Sequence, residues 1–107
     1  MIVPKNIFIV NKSLSRYLQG DKKNSKKIIN SKDWSASRED FKLASLVLNE
    51  NFSDSYNLME KIGENGEVKK ENYMTWPLFT EIRKKQKFKE TFKKVFKEEY
   101  SVLEIPK

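Results

Sequence analysis

The sequence predicts an all-α fold of about six helices, because apolar residues recur at three- and four-residue intervals along every long segment. Glycine and proline number only three each, so breaks between helices are few. Hydrophobic residues make up 37% of the 107-residue chain and aromatic residues 12%, which is enough to fill one core. We therefore expect a single helical domain over residues 1–107.

The amino-acid composition excludes most types of enzymatic catalysis. The chain has no cysteine and no histidine, which excludes disulfides, thiolate metal sites and Cys-His or Ser-His nucleophiles. The acids Glu39 and Asp40, like Glu98 and Glu99, are sequence neighbours that point in diverging directions on a helix. We expect no enzymatic activity, no cofactor and no metal. Without a long apolar run, we expect a cytoplasmic protein with no membrane contact.

The first hairpin is predicted over residues 5–31. Its first helix covers residues 5–19 and ends at Gly20, and Asp21 caps a second helix whose core face is Ile28 and Ile29. The apolar residues at helical spacing in the first helix are Ile7, Val10, Leu14, Tyr17 and Leu18.

The second hairpin is predicted over residues 37–63. Ser37 and Asp40 resemble a capping box at the start of the third helix, which ends near Asn51. Ser53 is the expected cap of the fourth helix, and Gly63 ends it. The expected core residues are Phe41, Leu43, Ala44, Leu46, Val47 and Leu48 in the third helix, and Tyr56, Met59 and Ile62 in the fourth.

The third hairpin is predicted over residues 70–97, with helices over residues 73–84 and 86–97. Pro77 fits only in a first turn or at a kink. The last helix carries an aromatic stripe that we expect in the core: Phe88, Phe92, Val95 and Phe96. If the array is open at its end, this stripe would be half exposed and would serve a partner or a homodimer.

The tail, residues 98–107, is too apolar to remain free in solvent. Its alternating segment from Tyr100 to Ile105 is expected to dock onto the domain or, alternatively, to bind a partner.

The sequence predicts an internal repeat that relates the first two hairpins at an offset of 30 residues. The offset aligns Tyr17 with Val47, Leu18 with Leu48, Ser25 with Ser55, Ile28 with Leu58, and Ile29 with Met59. The turn Gln19-Gly20-Asp21, followed by the small residue Ser25, resembles that of tetratricopeptide-type α-repeats. The resemblance implies an array of three helical hairpins that recognises proteins and has no catalytic residues. An irregular helical bundle is the alternative.

Charge is uneven along the chain. The net charge is +7 in residues 1–32, −5 in residues 33–68, +7 in residues 69–97 and −2 in residues 98–107. Alternating basic and acidic segments predict ion pairs within the fold, electrostatic attraction of an acidic partner, or head-to-tail association of copies of the chain.

Candidate partner-binding residues form a basic run near the C-terminus: Arg83, Lys84, Lys85, Lys87, Lys89, Lys93, Lys94 and Lys97. This run is either a solvated helix face or a binding face for an anionic partner. With three arginines in the chain, nucleic-acid binding would be electrostatic and not base-specific. Trp34 and Trp76 lie at hairpin junctions and are either core residues or exposed anchors for a partner.

These features together predict a non-enzymatic interaction module that binds or blocks a partner protein with an acidic surface. A small lysine-rich protein of this kind also fits an inhibitor from a phage or mobile element that acts on a host nucleic-acid-handling complex. The alternatives are a sequence-nonspecific RNA- or DNA-binding protein that uses the basic C-terminal helices, and a self-assembling structural protein.

Overall fold

The computed structural model describes residues 5–100, which form α-helices and short 3₁₀ turns with no β-strand. The α-helices are α1 (Lys5–Leu18), α2 (Lys22–Ile29), α3 (Glu39–Leu48), α4 (Phe52–Ile62), α5 (Lys70–Thr75) and α6 (Gln86–Phe96). The 3₁₀ turns Pro77–Phe79 and Ile82–Lys84 lie between α5 and α6. The prediction of an all-α fold is confirmed.

Helices α1 and α2 pack together as the first hairpin. Gly20 makes the turn at a φ of 84°, and the Asp21 carboxylate accepts a hydrogen bond from the Asn24 N–H at 3.3 Å, so the predicted cap is present. The helices meet at small residues, where Ser13 Oγ donates to the Ser25 carbonyl at 2.7 Å. Both serines are fully buried, which lets the two backbones approach closely.

The core face of α1 is narrower than its apolar spacing predicts. Val10, Leu14 and Tyr17 are buried, whereas Ile7 is 39% exposed and Leu18 is 50% exposed. The reason is that the neighbours of α1 cover a stripe centred on the three buried residues, and Ile7 and Leu18 lie at its margin.

The starts of α3 and α4 differ from the prediction. The residue preceding α3 is Arg38, one position after Ser37, and the Arg38 guanidinium holds the Asp40 carboxylate at 2.8 Å. Asp40 therefore does not complete a capping box with Ser37. The residue preceding α4 is Asn51, and Ser53 lies inside the first turn. Gly63 ends α4 as predicted, at a φ of 67°.

Helix α3 occupies the centre of the fold. It packs against α1, α2, α4 and the first 3₁₀ turn. Its residues Leu43, Ala44, Val47 and Leu48 are at most 1% exposed, so two adjoining faces of the helix are covered. Phe41 and Leu46, also predicted for the core, are half-buried at its edges.

The prediction of a single helix over residues 73–84 is wrong. Trp76 has an extended ψ of 125°, because the ring of Pro77 disfavours a helical conformation in the preceding residue. Helix α5 therefore ends at Thr75, and the chain continues through the two 3₁₀ turns. The third segment is consequently not a pair of long antiparallel helices.

An aromatic cluster closes this segment. The Tyr73 ring lies 5.1 Å from Phe79 and 6.4 Å from Phe88, measured between ring centroids. Tyr100 packs edge-on against Phe88 and Phe92 at 5.4 and 5.3 Å. Phe88 and Phe92 are buried, as predicted, whereas Val95 and Phe96 of the same stripe are half-buried. The start of the tail thus docks onto the core at Tyr100, while the rest of that prediction, residues 101–107, lies outside the described residues.

The resemblance between the two hairpins stays a prediction, and the buried small residues Ser25 and Ser55 allow a test. Ser25→Leu and Ser55→Leu should each lower the free energy of unfolding by about 1–3 kcal/mol, because leucine overpacks a closed contact. Ser15→Leu and Ser53→Leu are matched controls on exposed faces of the same hairpins. Chemical denaturation measures all four, and control-like values at both buried sites would contradict a shared packing role.

Glu50 links the first hairpin to the end of α3. Its carboxylate lies 2.9 Å from Lys22 Nζ and 3.5 Å from Lys26 Nζ. The hydrogen bond from Lys22 is the main cause that lowers the pKa of Glu50 below its ordinary value of 4.5. A lowered carboxyl pKa stabilises the fold above pH 4.5, and this contribution is lost as the pH falls through the folded-state pKa.

Glu50→Gln should therefore flatten the loss of stability on acidification below pH 4.5. Denaturation of the wild type and the variant over a pH series measures this difference. Glu64→Gln serves as the control, because Glu64 forms no ion pair among residues 5–100. Parallel pH profiles for wild type and Glu50→Gln would contradict the assignment.

Candidate binding surfaces

The lysines of α6 do not line up on a single track. Because Phe88 and Phe92 face the core, the remaining positions fall on two flanks of the helix. Lys87 and Lys94, seven residues apart, share one flank, and Lys89 and Lys93, four residues apart, share the other. A row of phosphates would meet only one of these flanks at a time.

Part of this basic run is neutralised within the fold. Three of its lysines pair with carboxylates at Nζ–O distances of 3.7, 2.7 and 2.6 Å: Lys84 with Glu81, Lys93 with Glu99, and Lys94 with Glu60. Lys85 lies over the Phe52 ring, 4.9 Å from its centroid. Within residues 5–100, the members of the run that form no ion pair and no such ring contact are Lys87, Lys89 and Lys97, besides Arg83.

Arg83 supports the backbone where α5 ends. In a continued helix the Tyr73 carbonyl would accept from the N–H of residue 77, but Pro77 has none. Arg83 Nε donates to that carbonyl at 2.7 Å, and Arg83 Nη2 donates to the Trp76 carbonyl. Arg83 is half-buried, and desolvation lowers the pKa of its guanidinium. The structure therefore gives Arg83 a structural role.

The two tryptophans differ in accessibility. Trp34 is buried, its Nε1 donates to the Ile29 carbonyl at 2.7 Å, and its ring lies 6.0 Å from Phe41. The interpretation of Trp34 as an exposed anchor is therefore wrong, because the loop turns it into the core. Trp76 is half-buried against Phe79 and lines two shallow cavities beside Asp40, so part of its ring remains accessible.

A second surface, on the first hairpin, was absent from the sequence-based candidates. Residues 7–10 are four consecutive apolar residues, and a helix cannot turn all four toward one core. Val10 is buried, whereas Phe8 points away from the core and is 64% exposed. The unbroken apolar run was the sequence signal that could have identified this surface.

Phe8 lines a groove between α1 and α2. The cavity has a volume of about 470 Å³ and is lined by Lys5, Phe8, Ile9, Lys12, Lys27, Ile28 and Ser31. We call it the Phe8 groove. A second cavity of about 570 Å³ runs along the outer side of α1 and shares Phe8 and Lys12 with the groove. The two cavities adjoin at Phe8, and the outer cavity adds one further apolar residue, Ile7, among polar side chains.

The charged residues that line the Phe8 groove are all positive. No carboxylate lines either cavity, although Lys5, Lys12 and Lys27 line the groove and Arg16 lines the outer cavity. In the part of the chain that the structure describes, these four cations form no ion pair. The charge of these four residues therefore remains at the surface, whereas Lys22 and Lys26 of the same hairpin pair with Glu50.

Comparison with family models, with curated proteins and with solved structures finds no match for this chain. No helix within residues 5–100 has the length and apolarity to cross a membrane.

The role of Arg83 leads to a coupled prediction. Arg83→Met should lower the free energy of unfolding by about 1–3 kcal/mol, because two backbone carbonyls lose a charged donor. The loss should shrink in a Pro77→Ala background, where the restored N–H at position 77 can donate to the Tyr73 carbonyl. Lys84→Met is the exposed neighbouring control. Equal costs at positions 83 and 84 in chemical denaturation would contradict the structural role.

Proposed function

We propose that this protein is a non-enzymatic binding module for a partner protein with an acidic surface. The observation that supports this most directly is the Phe8 groove, where an exposed aromatic side chain is bordered by cations without any lining carboxylate. Aromatic residues in apolar pockets are typical anchors of protein interfaces, and complementary charge attracts and orients the partner. An inhibitor that covers an acidic surface is one form of this function.

The two basic regions would contribute differently. Around the Phe8 groove, cations and apolar surface lie together, so this region can both attract a partner and hold it. Near α6, Lys87 and Lys97 are exposed cations without ion pairs among the described residues, but Phe88 and Phe92 beside them are buried. We therefore expect the α6 lysines to assist long-range attraction and to add little to the lifetime of the complex.

Two matched triple variants test this proposal. The groove triple is Lys5→Glu, Lys12→Glu and Lys27→Glu, and the α6 triple is Lys87→Glu, Lys89→Glu and Lys97→Glu. Each reverses three lysines that form no ion pair within residues 5–100, so folding should be little affected. Wild type and variants are used to capture partners from native cells with and without nuclease, and affinity is then measured with the purified partner.

We expect nuclease-resistant capture of a protein, strongly reduced by the groove triple and less by the α6 triple. Rising salt should lower the association rate until the long-range electrostatic attraction is fully screened, and further salt should then have no effect on that rate. Capture that nuclease abolishes would contradict the proposal. In that case the logarithm of affinity should fall with the logarithm of salt by about 0.7–0.9 per phosphate contact, as for nucleic acid. A larger loss in the α6 triple would move the interface to the C-terminal lysines.

A further inference from the structure

The floor of the Phe8 groove is apolar and its borders are positive. Phe8 and Ile9 come from α1 and Ile28 comes from α2, so the floor spans both helices of the hairpin. Lys5 and Lys12 are seven residues apart, about two turns or 10 Å along α1, and Lys27 stands on α2. The outer cavity adds Arg16 one turn further along α1. An occupant of two to three helical turns would meet all four cations.

This arrangement specifies the pattern of the occupant. Apolar side chains must enter the cavities on either side of Phe8, and carboxylates must flank them to meet cations on both borders. On a helix, apolar residues at positions i, i+3 or i+4, and i+7 form one stripe, and acids at the adjoining positions flank it. An acidic amphipathic helix is therefore complementary to the groove in both shape and charge.

Other occupants fit less well. A second copy docked by the same face would bring like charges together at a symmetric interface. Of the segments outside the described residues, 1–4 contain no acid and 101–107 contain a single acid, Glu104, so neither supplies carboxylates for both borders of the groove. A flat anionic bilayer would leave the two cavities beside Phe8 unfilled.

We infer that the Phe8 groove binds an acidic amphipathic helix of the partner, with apolar side chains packed around Phe8 and carboxylates paired with Lys5, Lys12, Arg16 and Lys27. This inference rests on the proposed function and names the class of ligand. In such a complex Phe8 is the central anchor, and the four cations form the surrounding polar rim.

The probe is a synthetic, fluorescein-labelled peptide of about 15 residues, long enough for a helix to form on binding. It carries leucines at i, i+3, i+4 and i+7, with glutamates at the flanking positions. One control peptide has the same composition with the leucines spread around the helix, and another has lysine in place of glutamate. Fluorescence anisotropy with the full-length protein should show at least about tenfold tighter binding of the patterned acidic peptide than of either control.

The matched protein variants are Phe8→Ala and Leu18→Ala. Both residues are exposed apolar positions on α1, but Leu18 lines neither cavity. Phe8→Ala should weaken binding of the patterned peptide about tenfold or more, and Leu18→Ala by no more than about twofold. Thermal unfolding checks that both variants fold. In ¹⁵N-labelled protein, peptide binding should shift the amide signals of α1 and α2 and leave those of α6 in place.

Several outcomes would overturn the inference. Equal binding of the patterned and spread peptides, or no effect of Phe8→Ala, would show that charge alone governs binding. Binding to vesicles of phosphatidylserine and phosphatidylcholine that Phe8→Ala abolishes, without binding of the patterned peptide, would assign the groove to a membrane surface. If no acidic peptide binds but the captured partner still requires Lys5, Lys12 and Lys27, the inference fails and the proposed function stands. If neither the groove triple nor the α6 triple reduces capture, both fail.

Discussion

The burial of helix α3 is the constraint on which the rest of the structure depends. Its apolar residues Leu43, Ala44, Val47 and Leu48 are closed off from water by elements from both ends of the sequence. Because α3 is covered from several directions, α1 needs only one narrow face to complete the core. The opposite face of α1 is thereby left free to carry Phe8 in solvent. The Phe8 surface is therefore exposed because α1 contributes only one of its faces to the core.

A second constraint, Pro77, decides what happens to the C-terminal segment. The proline removes a donor that the Tyr73 carbonyl would need, and the guanidinium of Arg83 replaces it. Aromatic packing of Tyr73 against its neighbours then holds the broken segment together without a long helix. Arg83 is a candidate nucleic-acid contact in the sequence, but its guanidinium is used to stabilise the fold.

The sequence was most informative where structure is determined locally. Gly20 and Gly63 end their helices and Asp21 caps α2, because a positive φ and a cap need only residues within one turn. The candidate binding surface could not be located in this way. Lys94 is neutralised by Glu60, which is distant in the chain, so a charge sum over a segment does not give the charge left at the surface. Only packing shows which cations remain free.

A binding surface has to attract its partner and then hold it, and the exposed Phe8 would serve the second of these tasks. Charge acts beyond contact distance, and so Lys5, Lys12 and Lys27 would raise the rate of encounter with an acidic partner. Apolar contact acts only after docking, and burial of Phe8 would therefore determine how long the complex lasts. Near α6 the charges can attract a partner, but Phe88 and Phe92 are already buried in the core and cannot contact it. The difference between the two basic regions lies in the apolar surface beside the lysines, not in the number of lysines.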